Sequence, residues 1–348
     1  MKIFIDVDNT ILEHSGFYSI ETESRIHSSI GKFPRENEDA IKIMYDSSIC
    51  RNPDIIKKLL ELDNVYVLTK YPAIEYEIHK QKRLADILGL EHDELMNLTD
   101  LNGNKKYIFL DVNDSKVQTV KKIFNLTDLH DCYLIDDYSA NLIEWQNNKG
   151  IAIKYYNEYN SPNHPTKGLS ISNFKIFSYL LEGHQRINDL MVCCEDTYML
   201  SLFLKLINEH NKFEYLDILY EVYQDLAHKL NLEELYTNSK YNVRDFLIEY
   251  YHLQDSLDTN YWTNTLKNKV VNNQYHSIIC ASFDLDLKKL KIFDNDNNLA
   301  LKIIEPNKLK TTNIYDVYLT LDKNAFLNNV DSTLNELVKI LLRFLYNK

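Results

Sequence analysis

A short apolar run, Ile3-Phe4-Ile5, closes on two carboxylates one residue apart, Asp6 and Asp8, and no other stretch constrains the fold of this chain as strongly. A run of this kind reads as a strand buried on both faces, as a parallel sheet requires. Residues i and i+2 of an extended backbone point to the same side, so Asp6 and Asp8 leave the strand as neighbours. They are placed to share a cation or to divide the roles of nucleophile and acid. Open α/β sheets hold their ligands at such C-terminal strand ends. A strand running into an acidic turn is the plainer reading of the Asp-x-Asp pair alone, and three later stretches shift that balance.

Val65-Tyr66-Val67-Leu68 ends on Thr69-Lys70, and Cys132-Tyr133-Leu134-Ile135 ends on Asp136-Asp137. Between them, Tyr107-Ile108-Phe109-Leu110 is followed by Asp114-Ser115-Lys116, a helix start that carries a lysine. This order of motifs resembles the haloacid dehalogenase (HAD) phosphatase superfamily. The stretch from Leu134 to Trp145, followed by Gly150-Ile-Ala-Ile-Lys154, is similar to the 5'(3')-deoxyribonucleotidase-like branch. The resemblance covers about residues 1–172 and does not extend to the rest of the chain. Asn9 stands where the superfamily usually has glycine, and the common Lys-Pro form of the third motif is absent.

The resemblance implies that Asp6 is a nucleophile forming an aspartyl phosphate, and that Asp8 protonates the leaving oxygen and then activates water. It also implies a Mg²⁺ ion held by the side chains of Asp6 and Asp136 and the backbone carbonyl of Asp8, with Asp137 reaching the metal through water or orienting the loop. The residue chemistry is consistent with this, since several carboxylates in one cleft repel unless a cation joins them, and hard oxygen ligands suit Mg²⁺. Thr69 and Lys116 are the expected phosphate-binding groups, with Lys70 as a further contact or as an obstruction. Lys82, Lys105 and Lys106 remain alternatives for the third-motif lysine.

The length, 348 residues, favours two or three domains. The expected order is an α/β, Rossmann-like parallel sheet over residues 1–172, with a small cap insertion at about 11–53, then a helical domain over 173–270 and an α+β region over 271–348. The cap carries Phe17, Tyr18, Arg25, Phe33 and Arg35, which suit a base and a phosphate as well as they suit a small packed insert. Asn157 to Ser172, with Pro162, Pro165 and Gly168, has the composition of a linker, and Ile151 to Tyr155 is expected to be the last strand of the first sheet. From Phe174 to about Asn268 apolar residues recur at helical spacing, as in Leu216, Leu219, Tyr223, Leu226 and Leu230. Strand patterns return at Ile278–Leu285, Leu290–Phe293, Leu299–Ile304 and Tyr315–Leu321, before a last helix from about Ser332.

A net charge of −12 argues against a non-specific grip on nucleic acid. The five cysteines form no metal-ligand spacing and suit a reducing compartment. With Met1-Lys2 leading straight into a strand, the expectation is a soluble, cytoplasmic protein without a membrane segment. The functional expectation is a Mg²⁺-dependent phosphomonoesterase acting on a small phosphorylated substrate, a nucleotide, with residues 173–348 serving homo-oligomer assembly or a protein partner. The competing reading is a binding or regulatory protein in which the first unit senses or gates a nucleotide and the C-terminal half does the work. Glu214, Asp217, Glu221 and Asp225, at helical spacing, faintly resemble the acidic helices of all-α nucleotide pyrophosphatases, although a solvated acidic face is the plainer reading. No GxxxxGK[ST] phosphate loop is present to support a fused kinase.

Overall fold

The first strand, β1 (Lys2–Ile5), is buried along nearly its whole length because it lies in the middle of a parallel sheet. On one side it pairs with β2 (Val65–Tyr71), Ile3 opposite Val65, and on the other with β4 (Cys132–Asp136), Ile3 opposite Tyr133. These pairings come from a computed structural model that describes residues 1–14, 38–71, 74–157, 168–181, 189–210, 214–230, 243–270, 277–285, 290, 298–304, 315–320 and 338–339. The chain divides into two units, Met1–Glu182 and Gly183–Lys348.

In the first unit the strands lie in the order β3-β2-β1-β4-β5-β6, where β3 is Tyr107–Asp111, β5 Ile151–Tyr155 and β6 Gly168–Ile171. Every pairing between them is parallel. The helices are α1 (Glu38–Asp46), α2 (Pro53–Glu61), α3 (Ile74–Leu88), α4 (His92–Asn97), α5 (Lys116–Phe124) and α6 (Ser139–Asn147). Pro53 opens α2, where its missing N–H costs no hydrogen bond. Gly89, at φ +63°, supplies the left-handed residue that ends α3. Gly150 lies against the Trp145 ring, which a Cβ would meet at 2.3 Å, so no larger residue fits between α6 and β5 without displacing the indole. Under the sheet, Phe4 stacks on Tyr66 at 5.2 Å between centroids and meets Trp145 edge-on at 5.5 Å. The Trp145 indole N–H donates to the Cys132 carbonyl, so this large side chain is buried without an orphaned donor.

The second unit is also an α/β unit with a parallel sheet, in the order β11-β10-β7-β9-β8. Its strands are β7 (Asp189–Cys193), β8 (Glu214–Asp217), β9 (Ser277–Ala281), β10 (Asn298–Ile304) and β11 (Val317–Thr320). Its described helices are α7 (Thr197–His210), α8 (Ile218–Leu230), α9 (Val243–Leu257) and α10 (Tyr261–Val270). All four pairings that join the strands are parallel.

This architecture corrects the sequence reading in several places. Residues 173–270 do not form a helical domain, because β7 and β8 lie within that range and pair with β9 and β10 from the region read as a separate α+β part. The units divide after Glu182 and not after residue 172. Gly168–Ile171, in the stretch read as linker, is a sixth strand of the first sheet, so Ile151–Tyr155 is not the last. Glu214 and Asp217 belong to a strand, so the four acids do not line one helix face. The cap residues Phe17, Tyr18, Arg25, Phe33 and Arg35, all but Leu290 of the strand expected to end at Phe293 and most of the helix expected from Ser332 lie outside the described residues. No helix among the described residues is long and apolar enough to cross a membrane.

Candidate active site

The site of the first unit lies at the C-terminal ends of β1 and β4. From β1 the chain moves to β2 on one side of the sheet, and from β4 to β5 on the other, so the crevice between these two strands is where the strand order reverses. The Asp6 amide donates to the Ile135 carbonyl at 2.9 Å, which extends the β1–β4 ladder by one residue and carries Asp6 alongside Asp136. Beyond it the backbone turns sharply. The Val7 carbonyl accepts from the amides of Thr10, Ile11 and Leu12, Asn9 sits at φ 55°, and Asn157 donates its side-chain amide to the Asn9 carbonyl at 3.0 Å. Asparagine tolerates this left-handed position better than most residues, which accounts for a non-glycine residue there.

One carboxylate oxygen each from Asp6, Asp136 and Asp137 lies within 4.8 Å of the others. Asp6 and Asp136 are buried, and Asp137 is half-buried. Lys116, the first residue of α5, spans two of them: its ammonium is 2.7 Å from Asp6 Oδ1 and 2.7 Å from Asp136 Oδ2. Ser115 caps this helix by accepting from the Gln118 amide, which fixes the turn that aims Lys116 inward. Asp136 also accepts from the Tyr138 amide and from the Asn141 side chain at 2.9 Å.

The electrostatics record an excess of buried negative charge. Burial pushes the Asp137 carboxyl well above the usual carboxylate range, and the neighbouring Asp136 and Asp6 push it further. Asp6 is raised as well, since burial and Asp136 outweigh the pull of Lys116. Burial alone would lower Lys116, but the two carboxylates hold it above its ordinary value. An all-oxygen donor set with this imbalance fits a hard dication such as Mg²⁺. Asp6, Asp136 and Asp137 are the side chains that could hold it.

Asp8 faces a different set of partners. Lys80 Nζ is 2.6 Å from its Oδ2, while His14 Nε2 and the Tyr45 hydroxyl each lie 3.1 Å from its Oδ1. Burial raises this carboxyl, but Lys80 and His14 overcome that and hold it well below the usual range. Lys80 is fully buried on α3 and also donates to Thr69 Oγ1 at 3.2 Å, and to the Lys70 carbonyl. The proposed phosphate-binding threonine and the proposed acid are thus linked through one ammonium. Lys70 enters the described contacts through its carbonyl, and its side chain alternates to the other face of β2 from Thr69.

Of the alternative lysines, Lys105 donates to Met96 O and Asn97, and Lys106 to the carbonyls of Leu60 and Leu62, so both are used away from the crevice. No described contact brings Lys82 to the acids. Sequence reasoning missed Lys80, His14, Tyr45 and Lys154 as site residues. Lys154, on β5 in register with Asp136, is buried and pushed down to about 8 by burial, against the opposing pull of Asp137. A signal for Lys80 was present, since it falls between Tyr76 and Leu84 on the buried stripe of α3, where a lysine requires an anionic partner. No protein-family model matches the chain, and no curated protein matches it in sequence.

Proposed function

We propose that the first unit is a Mg²⁺-dependent phosphomonoesterase that works through an aspartyl phosphate and takes a nucleotide as substrate. The observation that carries this reading is the convergence of Asp6, Asp136, Asp137 and the buried Lys116 at the point where the strand order reverses. The nucleotide part rests on the resemblance to the deoxyribonucleotidase-like branch.

A carboxylate of Asp6 attacks phosphorus and the ester oxygen departs, taking its proton from Asp8. Water then attacks the aspartyl phosphate, Asp8 takes one of its protons, and inorganic phosphate leaves with Asp6 regenerated. Mg²⁺, held by Asp6, Asp136, Asp137 and the Asp8 carbonyl, would neutralise the acids and draw charge from the phosphoryl oxygens. Lys116 favours the ionised form of Asp6 and holds its carboxylate in place. Asp8 as it stands is held ionised by Lys80, so it needs a proton before it can act as an acid. A phosphate group accepting from Thr69 gives Lys80 a second anionic partner and loosens its hold on Asp8, which then binds the proton it later donates.

The test is a phosphate-release screen with Mg²⁺ present, over nucleoside mono-, di- and triphosphates, sugar phosphates and 3'-phosphorylated oligonucleotides. Hydrolysis by the full chain and none by Asp6→Asn is the expected result. Release from no ester in the panel, or release unchanged by Asp6→Asn, would refute the proposal.

A further inference from the structure

Asp8 stands on the turn that follows β1, and donors from three separate segments of the first unit converge on its carboxylate. Lys80 of α3 lies 2.6 Å from Oδ2. Tyr45 of α1 donates its hydroxyl to Oδ1 at 3.1 Å, and His14 brings Nε2 to the same oxygen at 3.1 Å. All three are buried, whereas the Asp8 side chain keeps 20% exposure, so the carboxylate is gripped from behind and open on one side. The two residues on Oδ1 are themselves held. The segments that carry them are joined by an antiparallel bridge between Glu13 and Ile49, with backbone hydrogen bonds of 2.8 and 2.9 Å. Glu13 in turn accepts from the Tyr155 hydroxyl at 3.0 Å and pairs with Arg51 at 3.0 Å. The His14 and Tyr45 rings meet edge-on at 5.2 Å, and His14 Nδ1 lies 3.4 Å from the Met44 carbonyl.

This placement separates the two oxygens of Asp8. A carboxylate oxygen offers two lone pairs, and the Tyr45 hydroxyl and an N–H at His14 Nε2 take up both of them on Oδ1. Oδ2 meets the ammonium of Lys80, which also donates to Thr69 Oγ1 at 3.2 Å, so Oδ2 is the oxygen on the side of the proposed phosphate-binding threonine. We infer that Tyr45 and His14 are positioning residues for the phosphatase reaction, holding Asp8 by Oδ1 so that Oδ2 is presented to the ester oxygen that leaves. The proton on Oδ2 passes to that oxygen as its bond to phosphorus breaks, and Asp8 is left ionised. An acid has to lie within about 2.6–3.2 Å of the oxygen it protonates, and a misplacement of about 1 Å costs up to about a hundredfold in rate. A carboxylate free to rotate on its turn would not keep to that tolerance, and two buried donors on one oxygen remove the freedom. The inference rests on the phosphatase reading and adds to it the residues that aim the acid.

The experiment compares two esters, phenyl phosphate and p-nitrophenyl phosphate, hydrolysed by the full chain with Mg²⁺ present. Phenolate is as basic as the tyrosine side chain, with a pKa of about 10, and needs a proton as it leaves, whereas p-nitrophenolate departs with little help. The quantity read is the ratio of kcat/KM for the two, because kcat/KM reports cleavage of the ester and not the later hydrolysis of the aspartyl phosphate. Tyr45→Phe, which removes a single hydroxyl, should lower kcat/KM for phenyl phosphate about tenfold and keep that for p-nitrophenyl phosphate within about threefold. His14→Leu should skew the ratio in the same direction, and His14→Gln, which keeps an N–H at the end of the side chain, should restore part of it. A loss of folded protein would lower both esters by one factor and leave the ratio alone. An unchanged ratio in Tyr45→Phe and His14→Leu overturns the inference, whether both esters slow equally or neither does. Hydrolysis of neither ester by the unaltered chain, or hydrolysis that survives Asp6→Asn, would refute the phosphatase reading itself and this inference with it.

Discussion

In the first unit a buried lysine, Lys116, lies between Asp6 and Asp136 at the C-terminal mouth of a parallel sheet, and in the second Lys302 lies between Asp284 and Glu195 at the corresponding place. The surroundings of the carboxylates separate the two. Asp6 and Asp136 are withdrawn from water and a third acid, Asp137, joins them, whereas Asp284 and Glu195 remain open to solvent. Among the described residues, only the first unit gathers three acids that could hold a metal ion. In a low dielectric, the charge that one lysine leaves unbalanced is costly, and a dication relieves it. In the second unit water reaches both carboxylates and screens the surplus. The same backbone arrangement therefore suits different chemistry according to how deeply its acids are buried.

The sharpest way to break this contrast is to remove the proposed nucleophile, Asp6. Asp6→Asn should reduce phosphate release by about 10³-fold or more while circular dichroism stays unchanged. If Asp284→Asn caused the comparable loss, the chemistry would belong to the second unit.

The next largest effect compares the lysines. Lys116→Met should lower unfolding stability by about 3–5 kcal/mol, because it strands buried carboxylates without a counter-charge. Lys302→Met should cost less, since water still reaches Asp284 and Glu195. Urea unfolding of both variants checks the ranking, and equal losses would mean that burial does not distinguish the sites.

Mg²⁺ should raise the thermal unfolding midpoint, and at a hundredfold excess over Kd the stabilisation should reach about 2.7 kcal/mol. Chelator should remove both this shift and the activity. A shift of full size in Asp136→Asn would show that the ligand set is wrong.

The smallest effect lies away from either crevice and serves as a control for stability alone. Burial raises the Asp100 carboxyl, but hydrogen bonds from Asn104, from the Tyr66 hydroxyl and from the Asn102 amide outweigh it and hold the group at about 2. A carboxyl lowered in the folded state contributes stability that is complete above its ordinary value of 3.8 and is lost as the pH falls from there towards 2. Asp100→Asn should flatten this acid limb in unfolding midpoints measured against pH, and leave phosphate release in place. A limb of unchanged steepness would assign the acid sensitivity to other groups.

Much of the first unit was legible because its strands are uninterrupted apolar runs and its acids follow them directly. Ile3-Phe4-Ile5 and Cys132 to Ile135 announce two buried neighbours, and the register between them brings Asp6 to Asp136. The second unit was misread for a local reason. Its strands β7 and β8 are five and four residues long and are set among helices of ten to fifteen residues, so helical spacing dominates any window wide enough to measure it. Strands buried on both faces also lack the alternation that would have marked them.

The sequence by itself determined that the chain opens with a buried strand, that Asp6, Asp8, Thr69 and Asp136 stand at strand ends, and that Lys116 begins a helix. These follow from preferences between near neighbours, which a linear pattern records. Only the tertiary structure decided that Lys80 would hold Asp8, that Lys154 would be buried beside Asp136 on β5, and that Lys302 would meet Asp284 and Glu195. A charged side chain looks like surface in sequence, because its partner comes from a strand or helix far along the chain. The register that delivers the partner is set by packing the whole sheet, and no local pattern contains it.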